Sequence, residues 1–361
     1  MSSVPTKAKQ VSATGPALHV TTGLAGWAAQ WDDLVGASAL PSPFLRSWWL
    51  AGVGGHDPAY ILVVDGGLLL GGIALDQGRV VGLPQLRMIG SGHLCADHLD
   101  LLARSGSAER VTSMIRQWLL RPGERTLELG GLRPDGLLVG ALAGQSRVDV
   151  VGRAPWATLP ATSAAYLQAR PRTLRRTIAR TSTRLTEAGV RHQICRGESV
   201  GDALATLRRL HAAQWGNSSR FLPVFDRFAA ACKLGAQAGE VTVHELRAGE
   251  DVISCMATFE VAGRVSLYQS ARQTEPRWRD ATIMLISAII ADACERGFAE
   301  VDFLRGEETY KHSFAPDRRQ LVRIRAATGW ATRLVLAAEL AGRRAKRLLA
   351  ARHTGEPGAG R

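Results

Sequence analysis

The sequence predicts an α/β (α+β) fold in which two similar units stand in tandem, each a mixed, largely antiparallel sheet flanked by helices. Two observations predict it. A run of strands, a helix, a glycine and a short strand with one acidic residue occurs twice along the 361 residues. The spacing is also the same, because Gly123 lies five residues before Glu128 and Gly297 lies five residues before Asp302. We interpret the repeat as an internal duplication.

The first unit is predicted from apolar periodicity and turn signals. Aromatic residues at helical spacing predict two opening helices, the second starting at Pro43, because proline suits the first turn of a helix. Glycine-containing turns separate three strand-like runs, which are typical of a meander. The elements, in order, are helices near 27–35 and from Pro43, strands at 60–65, 68–75 and 80–83, a helix over 107–119 and a strand at 126–129.

The second unit repeats this order after two inserted helices. Its meander again turns at glycines, and Gly297 again separates the last helix from the second acidic strand. The elements, in order, are helices over 173–187 and 200–215, strands at 241–246, 252–260 and 264–270, a helix over 281–296 and a strand at 300–304.

These elements divide the chain into four predicted parts. Residues 1–15 are expected to form a flexible leader, 16–152 the first unit and 153–328 the second unit. Residues 329–361 are expected to form a basic helix and tail. The mixture of apolar and basic residues over 330–352 predicts an amphipathic helix, which either packs on its own unit or contacts an anionic membrane surface.

Composition excludes several classes of protein. Hydrophobic residues make up 46% and charged residues 21% of the chain, which is typical of a globular protein and excludes a disordered or fibrous one. No apolar run approaches the roughly 20 residues that a membrane helix needs. The five cysteines lie at least 23 residues apart, which excludes a CxxC metal site and a disulfide framework. A reduced, cytoplasmic protein is expected.

The net charge of +13 belongs to the second half of the chain. Residues 1–150 hold 12 basic and 12 acidic residues, whereas residues 151–361 hold 33 and 20. The stretch 168–195 alone carries a net charge of +6, with arginines recurring every four residues from Arg172 to Arg184. This stripe favours an anionic partner. An arginine-rich composition is the alternative explanation, since 40 of the 45 basic residues are Arg.

The segment 302–311, DFLRGEETYK, resembles the D-F-x-x-G-x-x-x-Y-K signature of the CelD-like (cellulose biosynthesis protein-like) branch of the GNAT acyltransferases. Weaker resemblance at 43–49, 96–100, 172–184 and 210–215 extends it over about residues 27–326. This branch is related to FemAB-type transferases, which contain two GNAT units in tandem. The resemblance implies transfer of an acyl group from acetyl-CoA or a longer acyl-CoA to an amine, by direct attack and without a covalent enzyme intermediate.

Donor binding is predicted at the start of the helix 281–296. The unpaired N–H groups and the dipole of a helix start attract phosphate, and nearby arginines add two cations. The family usually has Ser-Pro-Gly at this turn, whereas this chain has Asp280, Ala281 and Thr282, and Asp280 also suits a plain N-cap. The candidate donor-binding residues are Arg277, Arg279, Ala281 and Thr282.

A second group of polar residues is predicted to line the cleft between the two units. Within it His98 is the better general base, because an imidazole titrates near neutral pH. Tyr310 would protonate the departing thiolate. No HExxH motif or third ligand accompanies the histidines, so no metal is expected. The candidate catalytic residues are His98, Asp97, Asp302 and Tyr310, and the candidate acceptor-binding residues are Arg305, Glu308 and Lys311.

The sequence leaves the partners open. An acidic acyl carrier protein or an aminoacyl-tRNA is an alternative donor, because either would dock on the basic second half. A non-catalytic module that binds RNA or an anionic surface through 168–195 is a further alternative. RNA readers typically interleave exposed aromatic residues with their basic ones, and 168–195 contains none. The acceptor is an amine on a small molecule, a peptide or a saccharide.

Overall fold

The computed structural model describes residues 15–306, 308–338 and 341–342. The predicted leader, except for its last residue, and most of the predicted tail lie outside the described residues. A helix begins at residue 330, as predicted, and is described through 338. Among the described helices, none is long and apolar enough to cross a membrane.

Thirteen strands in the described part of the chain join into one sheet. They are β1 (Ala17–Thr21), β2 (Pro58–Asp65), β3 (Leu68–Val80), β4 (Leu83–Met88), β5 (Leu102–Ala103), β6 (Thr126–Leu132), β7 (Arg147–Thr158), β8 (Val190–Cys195), β9 (Val241–Ala248), β10 (Asp251–Val261), β11 (Arg264–Arg272), β12 (Glu300–Asp302) and β13 (Asp317–Ala327).

Helices cover the sheet on both faces. They are α1 (Ala28–Gly36), α2 (Ser47–Val53), α3 (Ala108–Leu119), α4 (Leu137–Ala141), α5 (Ser163–Gln168), α6 (Arg172–Glu187), α7 (Val200–Trp215), α8 (Phe225–Gln237), α9 (Ala281–Glu295) and α10 (Thr309–Phe314).

The topology confirms the predicted duplication. The order along the sheet is β1-β2-β3-β4-β6-β13-β7-β12-β11-β10-β9-β8, with β5 beside β3. In each half an antiparallel meander leads through one long helix to a strand that pairs parallel with the last strand of the meander. These parallel pairs are β4 with β6 and β11 with β12. The fold is therefore two mixed, largely antiparallel units in tandem.

The two halves exchange their last strands. β13 ends the second half but lies between β6 and β7 of the first, and β7 in turn pairs with β12 of the second half. The unit boundary predicted at residues 152 and 153 falls inside β7. Each half therefore completes its sheet with a strand of the other, and the centre of the molecule is held by backbone hydrogen bonds as well as by side chains.

Two apolar clusters form the core. The larger one fills the first half and continues beneath α7 and α8 of the second, and its centre is an aromatic group that includes Trp49, Phe259 and Tyr268. The aromatic residues of the two opening helices pack in or against this core. Full burial of such a side chain contributes about 1.5–3 kcal/mol to the free energy of unfolding. The second cluster lies between the opposite face of the sheet and the helices α6 and α9.

Gly131 permits a close approach of two backbone segments at the junction of the halves. Its φ is +73°, and an added Cβ would meet the carbonyl oxygen of Ala96. We expect Gly131→Ala to lower the free energy of unfolding by about 2–3 kcal/mol, measured by urea denaturation, because left-handed strain and backbone displacement add. Gly82→Ala is the control, since Gly82 has a similar φ of +78° but open space around it, and should lose about 1 kcal/mol. Equal losses in both variants would contradict the close-approach explanation.

Candidate active site

A wedge opens in the sheet where β11 and β12 separate. The two strands pair only over Arg264–Ser266 and Glu300–Asp302, although β11 continues to Arg272. After Asp302 the chain follows β7 instead, because the N–H of Phe303 donates to the carbonyl of Pro155 at 2.8 Å. The strand predicted over 300–304 therefore ends two residues early. Helix α9 packs on one face of this opening.

The first half has a similar opening. β4 and β6 pair only as far as Arg87 and Glu128, and a cavity of about 210 Å³ lies beyond that point. Gly131, Arg305 and Arg323 also line it, so residues of both halves surround the cavity. Both units therefore contain a pair of parallel strands that separate next to a helix, as expected for a duplicated unit.

Asp280 precedes α9, but its carboxylate does not cap the backbone N–H groups at the start of the helix. Asp280 accepts no side-chain cap bond, and its carboxylate lies 3.8 Å from both Arg184 of α6 and Arg279. The N–H groups of Ile283 and Met284 donate to the backbone carbonyl of Asp280. An α-helix leaves its first N–H groups without intrahelical partners, and here Ala281 and Thr282 carry them. Ala281 is fully buried and Thr282 is half-buried, so the N–H group of Thr282 is the one closer to solvent.

The two predicted donor-binding arginines stand beside this helix start in solvent. The side chain of Arg277 is 68% exposed, pairs with Glu275 at 2.7 Å and lies over the ring of Trp278. The side chain of Arg279 is 77% exposed. Sequence reasoning identified Arg184 only as part of the arginine stripe and missed its contact with the Asp280 carboxylate, because a contact between α6 and α9 leaves no local pattern.

Asp302 is fully buried and binds groups from both halves. Its Oδ2 lies 2.8 Å from Nε2 of His98 and 2.8 Å from Nη2 of Arg264, and its Oδ1 accepts the N–H of Leu304 at 2.7 Å. Burial alone would raise the pKa of Asp302, but His98, Arg264 and the N–H group together hold it well below its usual range. Asp302 is therefore a carboxylate at neutral pH.

Two arginines and a glutamate extend this cluster. Arg264 donates from Nε to Glu300 at 2.8 Å and from Nη1 to the carbonyl of Pro41 at 2.6 Å. Arg319 of β13 pairs with Glu300 at 2.6 Å and lies 3.5 Å from Asp302. Sequence reasoning missed these three residues. The signal that points to them is the parallel register, which places Arg264 directly opposite Glu300.

Asp97 forms a second contact between the halves. Its Oδ1 accepts Nε of Arg305 at 2.6 Å, and its Oδ2 accepts the backbone N–H of the same residue at 2.6 Å. Burial raises the pKa of Asp97, and the Arg305 guanidinium opposes that rise. Two neighbouring residues of the first half thus bind the end of β12 and the segment that follows it: His98 contacts Asp302, and Asp97 binds Arg305.

The signature segment continues this network. Nζ of Lys311 donates to the carbonyl of Arg305 at 3.0 Å and pairs with the exposed Glu308 at 3.0 Å. The structure therefore brings Asp97, His98, Asp302, Arg305 and Lys311 together at the junction of the halves, as one connected group.

Tyr310 lies on the other face of the sheet, where its ring packs against the cluster beneath α9. Burial and, to a smaller extent, the Glu308 carboxylate raise the pKa of Tyr310 well above its usual range. The phenol is therefore protonated at neutral pH. Within the described ranges no group of three or more His, Cys, Asp or Glu residues is placed to hold a metal ion.

The arginines of α6 form an exposed stripe, as predicted from their spacing. Leu174, Ile178 and Leu185 on the opposite side of the helix are buried. Of these arginines, Arg184 alone has an ion pair with another described residue, the contact of 3.8 Å with Asp280. The stripe consists of Arg172, Arg175, Arg176, Arg180 and Arg184.

Comparisons with known proteins agree with this architecture. A family model described as an acetyltransferase (GNAT) domain matches residues 172–312. FemX has a similar structure, with 10% sequence identity and a TM-score of 0.58 over 83% of this chain and 95% of that one. The C-terminal DUF2156 domain of an Agrobacterium fabrum protein has 13% identity and a TM-score of 0.55 over 86% and 94% of the two chains.

A third similar structure is L-PGS from Bacillus licheniformis, with 12% identity and a TM-score of 0.50 over 81% of this chain and 94% of that one. A comparison with proteins of curated function gave no significant match. At these identities the solved structures establish a shared fold over most of the chain, and the match to the family model is confined to residues 172–312.

Proposed function

We propose that this chain, which has two GNAT-like units in tandem and a GNAT acetyltransferase domain over residues 172–312, moves an acyl group from a thioester donor to an amine. The proposed donor is acetyl-CoA or a longer acyl-CoA in the cytoplasm. The observation that carries this proposal is the start of α9, where uncapped N–H groups and two exposed arginines stand beside the wedge between β11 and β12.

The donor phosphates are proposed to bind at the start of α9, formed by Ala281 and Thr282, where the half-buried Thr282 offers the more accessible N–H group and Arg277 or Arg279 contributes. Backbone N–H groups at a helix start bind phosphate because their dipoles and the helix dipole point the same way. A carboxylate at this position would repel the donor, but the contact between Asp280 and Arg184 offsets its charge. This contact supports donor binding despite the departure from the Ser-Pro-Gly pattern.

The acceptor is proposed to bind on the side of the sheet that faces the first half. The oxygens of Asp97 and Asp302 are occupied by strong donors, which supports a role in positioning the network. Lys311, with Arg305 and Glu308 beside it, would bind the carboxylate or phosphate of an acceptor that carries one. Tyr310 would give its proton to the departing thiolate, since its raised pKa keeps it protonated.

The chemistry is proposed to be direct attack by the amine on the thioester carbonyl. A covalent acyl-enzyme would need an activated nucleophile, most simply a thiolate. Burial raises the pKa of all five cysteine thiols, which disfavours the thiolate in each of them. This supports a single transfer step from donor to acceptor.

Calorimetric titration of the intact protein with CoA and acetyl-CoA tests the donor assignment. We expect binding in the range of about 1 μM to 1 mM that is usual for enzyme substrates. The affinity should fall as salt is added, because phosphate and exposed guanidinium groups are screened. The absence of binding to either compound, by a protein that melts cooperatively, would contradict an acyl-CoA donor.

The α6 stripe favours a second candidate donor, an acyl or aminoacyl group carried by an acidic carrier protein or a tRNA. Arginines four residues apart on a solvated helix repel one another by a few tenths of a kcal/mol per pair. Folding stability therefore gives no reason for the stripe, whereas a polyanionic partner would relieve the repulsion.

Replacing Arg172, Arg176 and Arg180 together with Gln separates the two donors. If the stripe docks a macromolecular donor, turnover with a carrier-bound or tRNA-bound acyl group should fall about tenfold or more, while turnover with free acetyl-CoA stays unchanged. The control removes the same charge from exposed arginines of the first half, Arg110, Arg116 and Arg121. Equal activity of both triple variants with every donor would assign the stripe to composition alone.

A further inference from the structure

A cavity of about 280 Å³ lies in the first half, next to the contact between His98 and Asp302. The loop 37–45 forms one wall, the segment 98–105 forms another, and Leu137 closes a third side. Ala37, Ala39 and Leu137 are exposed at its rim, so the cavity opens to solvent. The volume is near the lower end of the range of about 300–1,000 Å³ that ligand pockets occupy.

His98 is the one group in the wall of this cavity that is buried, titratable and incompletely bonded among the described residues. Its side chain is 1% exposed, and Nδ1 has no hydrogen-bond partner in the part of the chain that the structure describes. The other charged groups in the wall are satisfied. Asp100 accepts three backbone N–H groups, and Arg133 pairs with Asp135 at 2.6 Å.

The contact with Asp302 fixes where the imidazole carries its proton. A carboxylate oxygen and an imidazole nitrogen at 2.8 Å require a proton between them, so Nε2 is protonated. In the neutral ring Nδ1 then holds a lone pair.

The surrounding charges already balance when His98 is neutral. Three carboxylates and three guanidinium groups form the network on this side of the sheet. They are Asp97, Glu300 and Asp302 with Arg264, Arg305 and Arg319. A neutral imidazole in a balanced network, on a residue that lines the cavity and with Nδ1 unpartnered among the described residues, is able to accept one proton from a ligand.

We infer that this cavity receives the acceptor and that Nδ1 of His98 takes the proton from its ammonium group. The inference rests on the proposed acyl transfer and adds the acceptor pocket and the base to it. Asp302, the last residue of β12, holds His98 at the point where the wedge begins. Leu40, Leu45 and Leu102 form an apolar part of the wall, which would hold the apolar body of a small primary amine.

One proton moves from the ammonium group to Nδ1, and the amine nitrogen then attacks the thioester carbonyl carbon. The carbon–sulfur bond breaks with its electron pair on sulfur, and the nitrogen loses a second proton as the amide forms. Tyr310 gives its proton to the sulfur of CoA and regains one of the two protons that nitrogen loses, and the other is released to solvent, so Tyr310 and His98 both return to their starting forms.

Two variants test the pocket with acetyl-CoA as donor and phenethylamine as acceptor, with glucosamine as the polar comparison. Ala39→Trp fills the exposed rim without touching the core, and should raise KM for phenethylamine about tenfold or more while CoA affinity stays unchanged. Ala238→Trp, on an exposed alanine after α8, is the control and should match the wild type. Wild-type preference for glucosamine over phenethylamine would overturn the apolar assignment.

His98→Gln tests the base, because the glutamine amide can still donate to Asp302 but cannot accept the proton. We expect kcat to fall about 10²–10⁴-fold, with unchanged CoA affinity and an unchanged melting temperature. The remaining rate of the His98→Gln variant should rise with pH up to the pKa of phenethylamine. Without the base, only amine that has already lost its proton in solution reacts. A structural role alone would lower the melting temperature and leave that pH dependence as in the wild type.

The outcomes separate this inference from the proposed function. If the wild type transfers acetyl groups to phenethylamine and neither Ala39→Trp nor His98→Gln impairs the transfer, the acceptor pocket and the base are both wrong. The proposed acyl transfer would still stand. A wild-type protein that binds no CoA and transfers no acyl group would remove both.

Discussion

Replacing Asp302 with alanine should lower the free energy of unfolding by about 3–5 kcal/mol, the cost of removing one partner from a buried ion pair. The carboxylate is fully buried, and its loss leaves Arg264, which is only 8% exposed, and His98 without their shared acceptor. It also removes the bond to the N–H of Leu304. Urea denaturation followed by circular dichroism measures the change.

Asp135→Ala is the matched control for this variant. Asp135 also pairs with an arginine, at 2.6 Å from Arg133, but its side chain is 69% exposed. An exposed ion pair contributes at most about 1 kcal/mol because water screens it. A loss in Asp302→Ala no larger than in Asp135→Ala would show that the buried network does not hold the halves together.

The same comparison should depend on pH. The pKa of Asp302 in the folded protein lies well below its unfolded value of about 3.9. Its contribution to stability is therefore complete above the unfolded pKa and is lost progressively as the pH falls below it. The difference in unfolding free energy between wild type and Asp302→Ala should be constant from pH 7 to 5 and should shrink towards pH 3.

Replacing Arg277 and Arg279 together with alanine should weaken CoA binding about 10- to 30-fold. Both side chains are largely exposed, so each contributes only about 1 kcal/mol to holding a phosphate. The variant should also show a weaker dependence of affinity on salt, because two fewer charges are screened. Calorimetry with CoA, at several salt concentrations, measures both effects.

Arg110→Ala/Arg116→Ala, on the exposed face of α3, removes the same charge far from α9 along the chain and serves as the control. Its CoA affinity should match that of the wild type. Equal affinity of all three proteins for CoA would exclude the start of α9 as the phosphate site, whatever the activity of the protein proves to be.

Periodic patterns explain why much of the fold could be predicted from the sequence. The helix predicted over 281–296 is α9, Ala281–Glu295, and the arginine helix predicted over 173–187 is α6, Arg172–Glu187. Both are long, and each presents a regular pattern of buried residues. The repeated order of meander, helix and acidic strand was likewise local enough to be seen, and it indicated the tandem fold.

Contacts between distant parts of the chain could not be predicted in the same way. The exchange of β7 and β13 depends on pairing between residues as far apart as Arg147 and Arg325, and no local pattern records it. The partners of Asp302 show the same limit, since Arg264 and Arg319 come from other strands and His98 from the other half. The sequence indicated the residues that meet at the junction, but the bonds between them became visible only in the folded chain.

Incubation of the intact protein with acetyl-CoA and a panel of small primary amines tests the proposed reaction most directly. Free thiol and N-acetylated amine are followed together, by a thiol reagent and by mass spectrometry. The account predicts equal amounts of CoA thiol and amide, with no acetyl group left on the protein. Formation of an acetyl-enzyme would contradict direct attack. A lack of thiol release, in a protein that transfers an aminoacyl group from tRNA to an amine, would contradict the thioester donor.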